Sequence, residues 1–303
     1  MGHFFEYLFF ESAGSALRLF PLRIVQRIGA AVGEFVGMAL GYRRAVTMDN
    51  LRNAFPEHDD ATLRTIMRGA FRNVGIALFE FAYFPQLNAA AINELVQIGN
   101  SELVQEVFAR GKGIILLTAH FGNWELLAQS VPARTGIPVY VIVKNQSNRR
   151  VNKRINEWRT MLGNIAVPME SSVRELLKAL RDKKAVGMVG DQTAAKESDS
   201  VPFFGREVPT FEGPAMFSLK TRAPLLVGFA VRQSDGTYRA EFHEIPSDDL
   251  DAYTPENVLE LTKRHVAALE AVVRAHPDQW LWMHKRWKHV PSRINANDVT
   301  RRA

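Results

Sequence analysis

His120 and Glu125 stand five positions apart in His120-Phe-Gly-Asn-Trp-Glu125, directly after the apolar run 113–119. A carboxylate beside an imidazole fixes its tautomer and stabilises the imidazolium, which turns an ordinary histidine into a general base. On one continuous helix this spacing would put the pair off a common face, because helical neighbours lie three or four apart. A strand–turn–helix corner brings them together. The apolar run reads as a buried strand ending at His120, Gly122 permits the tight turn, and Asn123 caps a helix beginning at Trp124. Ligands of open α/β sheets bind at such carboxyl ends. The plainer reading of any His-x4-Glu pair is a buried histidine bonded to a helix-capping glutamate, and the strand-end position favours chemistry.

Other elements must position this corner. Residues 138–143 read as the next strand, leaving Lys144-Asn145-Gln146 at its end. Residues 148–162 form a basic helix with Arg149, Arg150, Lys153, Arg154 and Arg159, either a solvated face or a phosphate contact. Ser172-Val-Arg-Glu175 reads as a capping box opening a helix through Leu180. Residues 185–190 form a further buried strand ending at Asp191-Gln192, where an acidic side chain can bind a hydroxyl, orient a base, accept a metal or make an Asx-turn. Strands follow at 225–231 and 238–245 around Ser234-Asp-Gly236, then a long helix over 255–275 in which His265 packs or caps. Upstream, apolar residues recur at helical period from Leu63 to Phe81, and another helix spans 43–55. The expected fold is α/β, with a mostly parallel central sheet flanked by helices.

With those residues in view, His120-Phe-Gly-Asn-Trp-Glu125 resembles the His-x4-Asp/Glu signature of the glycerolipid acyltransferase superfamily. Its form is similar to the bacterial lipid A late acyltransferases, the lauroyl and myristoyl transferases of lipopolysaccharide assembly. Further marks follow in the family's order: the stretch 50–57, Asp191-Gln192, Pro202-Phe203-Phe204-Gly205, and 277–287 with its three tryptophans. The resemblance implies transfer of an acyl chain from an acyl carrier protein thioester to a hydroxyl of a lipid A precursor, without a cofactor. His120 would be the general base and Glu125 its partner. Asp191 and Gln192 are carried over to the site; many relatives have a second acidic residue where Thr193 stands, so a two-carboxylate role is in question. A functional arginine is implied in the basic helix, Arg159 by choice with Arg149 the alternative, and Lys144 is grouped with them for substrate binding. Oxyanion donors are sought among backbone amides near Asn123 or in Arg159. Phe203 and Phe204 either line an acyl-chain pocket or anchor a buried loop. Coenzyme A as donor, another membrane-lipid acceptor, and thioester or lipid hydrolysis are the alternatives.

Composition fits a sizeable core, with 47% hydrophobic and 23% charged residues. The absence of cysteine excludes disulfides and cysteine-based zinc sites. A net charge of +6 suits a phosphate-bearing partner. Nucleic acid is disfavoured because the strands are apolar, without the aromatic–basic alternation of RNA-binding sheets. No phosphate-loop, dinucleotide, nucleophile-elbow or His-Glu-x2-His metal motif occurs. Phenylalanines crowd the first ten residues, and 17–42 is apolar but broken by arginines, so no run meets the roughly 20 apolar residues of a spanning helix. Aromatics with interspersed arginines suit helices lying in a membrane interface. The expected organisation is 1–44 membrane-associated, 45–291 the acyltransferase domain and 292–303 a disordered tail, at the cytoplasmic face of a bacterial inner membrane. Trp280, Trp282 and Trp287 are read as a further membrane edge.

Overall fold

In the computed structural model, which describes residues 2–291, apolar five-residue runs build the centre of a seven-stranded sheet. These are β2 (Ile114–Thr118), β3 (Val139–Val143) and β5 (Ala185–Val189). Short edge strands β1 (Val96–Ile98) and β4 (Ile165–Pro168) and the long pair β8 (Leu225–Arg232) and β9 (Tyr238–Glu244) complete it in the order β1-β9-β8-β2-β5-β3-β4. All neighbours are parallel except β8 and β9, which form an antiparallel hairpin. The expected α/β class and mostly parallel sheet are present. β1 and β4, with three and four residues, are too short to show a periodicity in the sequence.

Helices cover both faces, as a parallel sheet requires. They are α1 (Gly2–Leu17), α2 (Leu22–Glu34), α3 (Arg44–Ala54), α4 (Asp60–Tyr83), α5 (Ala89–Leu95), α6 (Ser101–Ala109), α7 (Trp124–Thr135), α8 (Arg149–Thr160), α9 (Ser172–Arg181), α10 (Gly213–Thr221) and α11 (Pro255–Ala275). The capping box before α9 is not made: Ser172 lies inside the helix and its hydroxyl donates to the Met169 carbonyl at 2.8 Å. Between β5 and α10, the stretch holding Phe203 and Phe204 forms a second, two-stranded sheet, β6 (Ser200–Phe203) and β7 (Arg206–Pro209). Its turn puts Phe204 and Gly205 both at positive φ, 53° and 67°, the mirror-image turn that two-residue hairpins prefer.

The N-terminal stretch packs on the rest. Gly29 and Gly33 of α2 meet Gly75 of α4 so closely that a Cβ on Gly33 would run into the Phe71 carbonyl oxygen. From α2, Gln26 reaches the fully buried Glu80 at 2.7 Å. The outer surface of the same stretch keeps Phe5, Phe9, Leu19, Phe35 and Leu40 exposed. Among the described residues no single helix is long and apolar enough to cross a membrane, though Leu22–Ala39 with Arg44–Ala54, bent by 91°, passes that test as a pair. The tail expected over 292–303 lies outside the described residues.

At the other end, Trp280, Trp282 and Trp287 are 2%, 0% and 4% exposed, which corrects their assignment to a membrane edge. They pack with Phe203, Phe204 and Phe55 in one aromatic cluster. Each aromatic side chain withdraws a large apolar area from water, and the edge-to-face and stacked pairs add to that.

Candidate active site

Parallel pairing of β2 with β5 sets Thr118 opposite Val189, so both strands run out on the same side. Two residues past each partner stand His120 and Asp191, and the register makes them neighbours. His120 Nδ1 lies 2.8 Å from Asp191 Oδ1, and the His120 backbone N–H donates to Oδ2 at 3.1 Å. The Trp280 indole N–H donates to the same Oδ2 at 2.8 Å. Three donors thus converge on a carboxylate that is 4% exposed. Burial by itself would raise its pKa, but the positive imidazole and the bonds from His120 and Trp280 outweigh that, holding Asp191 below the usual carboxylate range. For His120, burial works against the charged form, while Asp191's charge and hydrogen bond, with a smaller pull from Glu125, leave its pKa raised. With Nδ1–H committed to Asp191, Nε2 is the bare nitrogen that can take a proton. Trp124 stands edge-on to the imidazole, ring centres 4.9 Å apart.

A strap formed by residues 277–287 pins this corner. Gly122 N–H donates to the Gln279 carbonyl at 2.8 Å and Leu281 N–H to the His120 carbonyl at 3.0 Å. Gly122 has φ +54°, and a Cβ there would collide with the Ala230 carbonyl oxygen, so the turn requires glycine. Asn73 donates to the Gly122 and Gln279 carbonyls at 3.1 Å, and Asn50 to those of Trp282 and His284 at 2.7 and 2.6 Å. The two asparagines therefore tie α3 and α4 to the strap.

Glu125 does not hold the imidazole as the spacing suggests. It lies in the first turn of α7, and its carboxylate takes two bonds of 3.1 Å from Arg159 Nε and a further one from Arg159 Nη2. Arg159 comes from the last turn of α8, with its guanidinium over the Phe81 ring. A fork-shaped guanidinium satisfies a carboxylate better than an imidazole edge can, and Asp191 already has His120. Asn123 caps α7 as expected, accepting from Leu126 N–H at 3.0 Å, but it is fully buried and its amide donates to Glu80 at 2.7 Å. It is therefore structural, not a substrate contact. Phe203 and Phe204, 0% and 2% exposed, are the buried anchor of the aromatic cluster rather than an open pocket wall.

The remaining residues lie further out. Gln192 and Lys144 are exposed at their strand ends. Arg149 is exposed at the start of α8, where it shares a groove of about 400 Å³ with His3, Phe4 and Arg150. His265 on α11 is buried beneath the site, and burial pushes its pKa down to about 3, so it stays neutral. Among the described residues no group of three His, Asp or Glu side chains could hold a metal ion.

His284 was missed as a site residue. Its Nε2 accepts the Thr193 N–H at 3.2 Å, two residues beyond Asp191. The only sequence signal was its place in the 277–287 stretch, whose spatial position no local pattern reveals.

A proton-accepting histidine backed by a buried carboxylate suits activation of a hydroxyl, and acyl transfer is a reaction that needs it. The model of the bacterial lipid A biosynthesis acyltransferases matches residues 5–289, and the chain belongs to that family; the protein is an acyltransferase. It is 24% identical over 288 residues to a lipid A biosynthesis palmitoleoyltransferase of Escherichia coli, covering 89% of this chain and 87% of the relative. A lauroyltransferase of lipid A biosynthesis from the same organism is 23% identical over 281 residues, 90% and 88% of the two chains. A phosphatidylinositol mannoside acyltransferase of Mycolicibacterium smegmatis is 20% identical over 207 residues, 67% and 66%.

Proposed function

We propose that the protein transfers a fatty acyl chain from an acyl carrier protein thioester to a hydroxyl of a lipid A precursor. The observation that carries the reading is the His120–Asp191 pair at the ends of β2 and β5. His120 Nε2 takes the proton as the acceptor oxygen attacks the thioester carbonyl, and Asp191 keeps the tautomer and stabilises the imidazolium. Glu125 fixes Arg159 beside the reacting centre and adds to the field on His120. Relatives of 23–24% identity named for lipid A biosynthesis support this acceptor class. The mannoside acyltransferase match supports another phosphoglycolipid as the second reading.

The protein works at the cytoplasmic face of a bacterial inner membrane in this reading. The exposed phenylalanines and leucines of the N-terminal stretch and the net charge of +6 support interfacial attachment. Purified protein is added to anionic vesicles carrying the lipid A precursor and supplied with acyl carrier protein thioester. The expected result is co-sedimentation that survives high salt, and a product heavier by one acyl chain in mass spectrometry. Thiol release without acylated lipid would make it a hydrolase and overturn the reading. Free protein in the supernatant would overturn the attachment.

A further inference from the structure

The sequence suggests oxyanion donors in Arg159 or in backbone amides near Asn123. Arg159 is engaged by Glu125, and of those amides Gly122 N–H bonds the Gln279 carbonyl and Leu127 N–H the Asn123 carbonyl. The Asn123 side chain is sealed inside, its oxygen on Leu126 N–H and its amide on Glu80. A different group lies close enough to the His120–Asp191 pair to feel its charges. His284 lies three residues beyond Leu281, whose amide bonds the His120 carbonyl at 3.0 Å, and its ring meets Thr193, two residues beyond Asp191. Its carbonyl accepts from Asn50 Nδ2 at 2.6 Å and from Arg286 N–H at 2.9 Å, so backbone and ring are both tethered.

The ring's chemistry follows from its contacts. Because Nε2 accepts the Thr193 N–H, the neutral tautomer carries its proton on Nδ1. Burial lowers the pKa of His284; Asp191 pulls the other way, and the positive charges of His120, Arg286 and Arg43 lower it further. A neutral imidazole therefore sits beside His120 near pH 7 with one N–H, and no described residue hydrogen-bonds its Nδ1. By contrast, His120 is held basic by Asp191. Two histidines whose environments drive their basicities apart suit two different tasks.

We propose that His284 is a second catalytic histidine, donating its Nδ1–H to the thioester carbonyl oxygen as that oxygen becomes the tetrahedral oxyanion. The inference rests on the acyl-transfer reading above. In the step, the acceptor oxygen bonds to the carbonyl carbon and its proton passes to His120 Nε2. The carbonyl π pair moves onto oxygen, which His284 holds by its hydrogen bond without giving up the proton. Collapse re-forms the carbonyl and breaks the carbon–sulfur bond, and the imidazolium of His120 protonates the leaving thiolate. A preorganised donor of this kind is worth roughly 10²–10³ in turnover.

Two amide substitutions separate this role from simple support of the Thr193 loop. His284→Asn keeps an N–H donor where Nδ1 stands and loses the acceptor for Thr193. His284→Gln keeps an acceptor within reach of Thr193 and loses the donor. Initial rates are measured with full-length protein on vesicles, the thioester as donor, alongside thermal denaturation of each variant. The proposal expects His284→Gln to lose about 10²–10³-fold in kcat with KM little changed, and His284→Asn to lose no more than about tenfold. His284→Gln at near-normal kcat, or His284→Asn as the worse of the two with a lowered Tm, overturns it in favour of loop support. Failure of the underlying reading looks different, because wild-type protein would then acylate no lipid at all.

Discussion

At the residue scale, two charged groups of the site take partners other than each other, the pairing that spacing alone suggests. His120 and Glu125 are five apart in sequence, yet the imidazole takes Asp191 and the carboxylate takes Arg159. Each residue type was legible, and so was its position at a strand end or in a first helical turn. The pairing was not, because it depends on β5 lying beside β2 and on the last turn of α8 lying over the start of α7. The Glu125–Arg159 pair should therefore act as a unit. Glu125→Gln and Arg159→Met are each expected to slow turnover, and the double variant to be little worse than the worse single change. Steady-state kcat of the three variants checks this, and strictly additive losses would mean that the two side chains serve separate purposes.

At the element scale, the corner is held from behind by a buried polar knot. Glu80 of α4 accepts from Gln26 of α2, Asn123 at the head of α7, the Tyr238 hydroxyl of β9, and Arg232 of β8 at 3.2 Å. A long amphipathic helix was readable over 63–81 from its period, but a glutamate within it reads as a solvated position. Only the arrival of four donors from distant elements explains its burial. Removing one partner of a buried ion pair costs about 3–5 kcal/mol, because the other charge is left without compensation. Glu80→Ala is accordingly expected to lower Tm by on the order of 10 °C, given roughly 2–4 °C per kcal/mol in larger domains. Thermal denaturation monitored by circular dichroism measures it. A Tm within a degree or two of wild type would show that the knot contributes little.

At the scale of the whole molecule, the first and last parts of the chain serve the middle. The α2 helix crosses α4 at glycine contacts, and the strap 277–287 closes over the His120 turn while giving Trp280 to Asp191. The strand order could not be read from the sequence. Composition did signal a large core, but aromatic residues at the C-terminus look alike whether they face lipid or one another, and burial decides between those. The claim on which the account turns is that Asp191 makes His120 a base. The imidazole must be neutral to accept a proton, and its pKa is raised, so kcat/KM should fall as pH drops through a value above the ordinary 6.5 or so of histidine. The direct measurement is the pH profile of kcat/KM for wild type, Asp191→Asn and Glu125→Gln. Losing the Asp191 charge should move the acidic limb to lower pH and reduce the plateau by about 10⁴-fold, as a comparable acid-to-amide change does in a serine protease triad. Glu125→Gln should move the limb less. An unchanged limb in Asp191→Asn, or a larger shift in Glu125→Gln, would contradict the account.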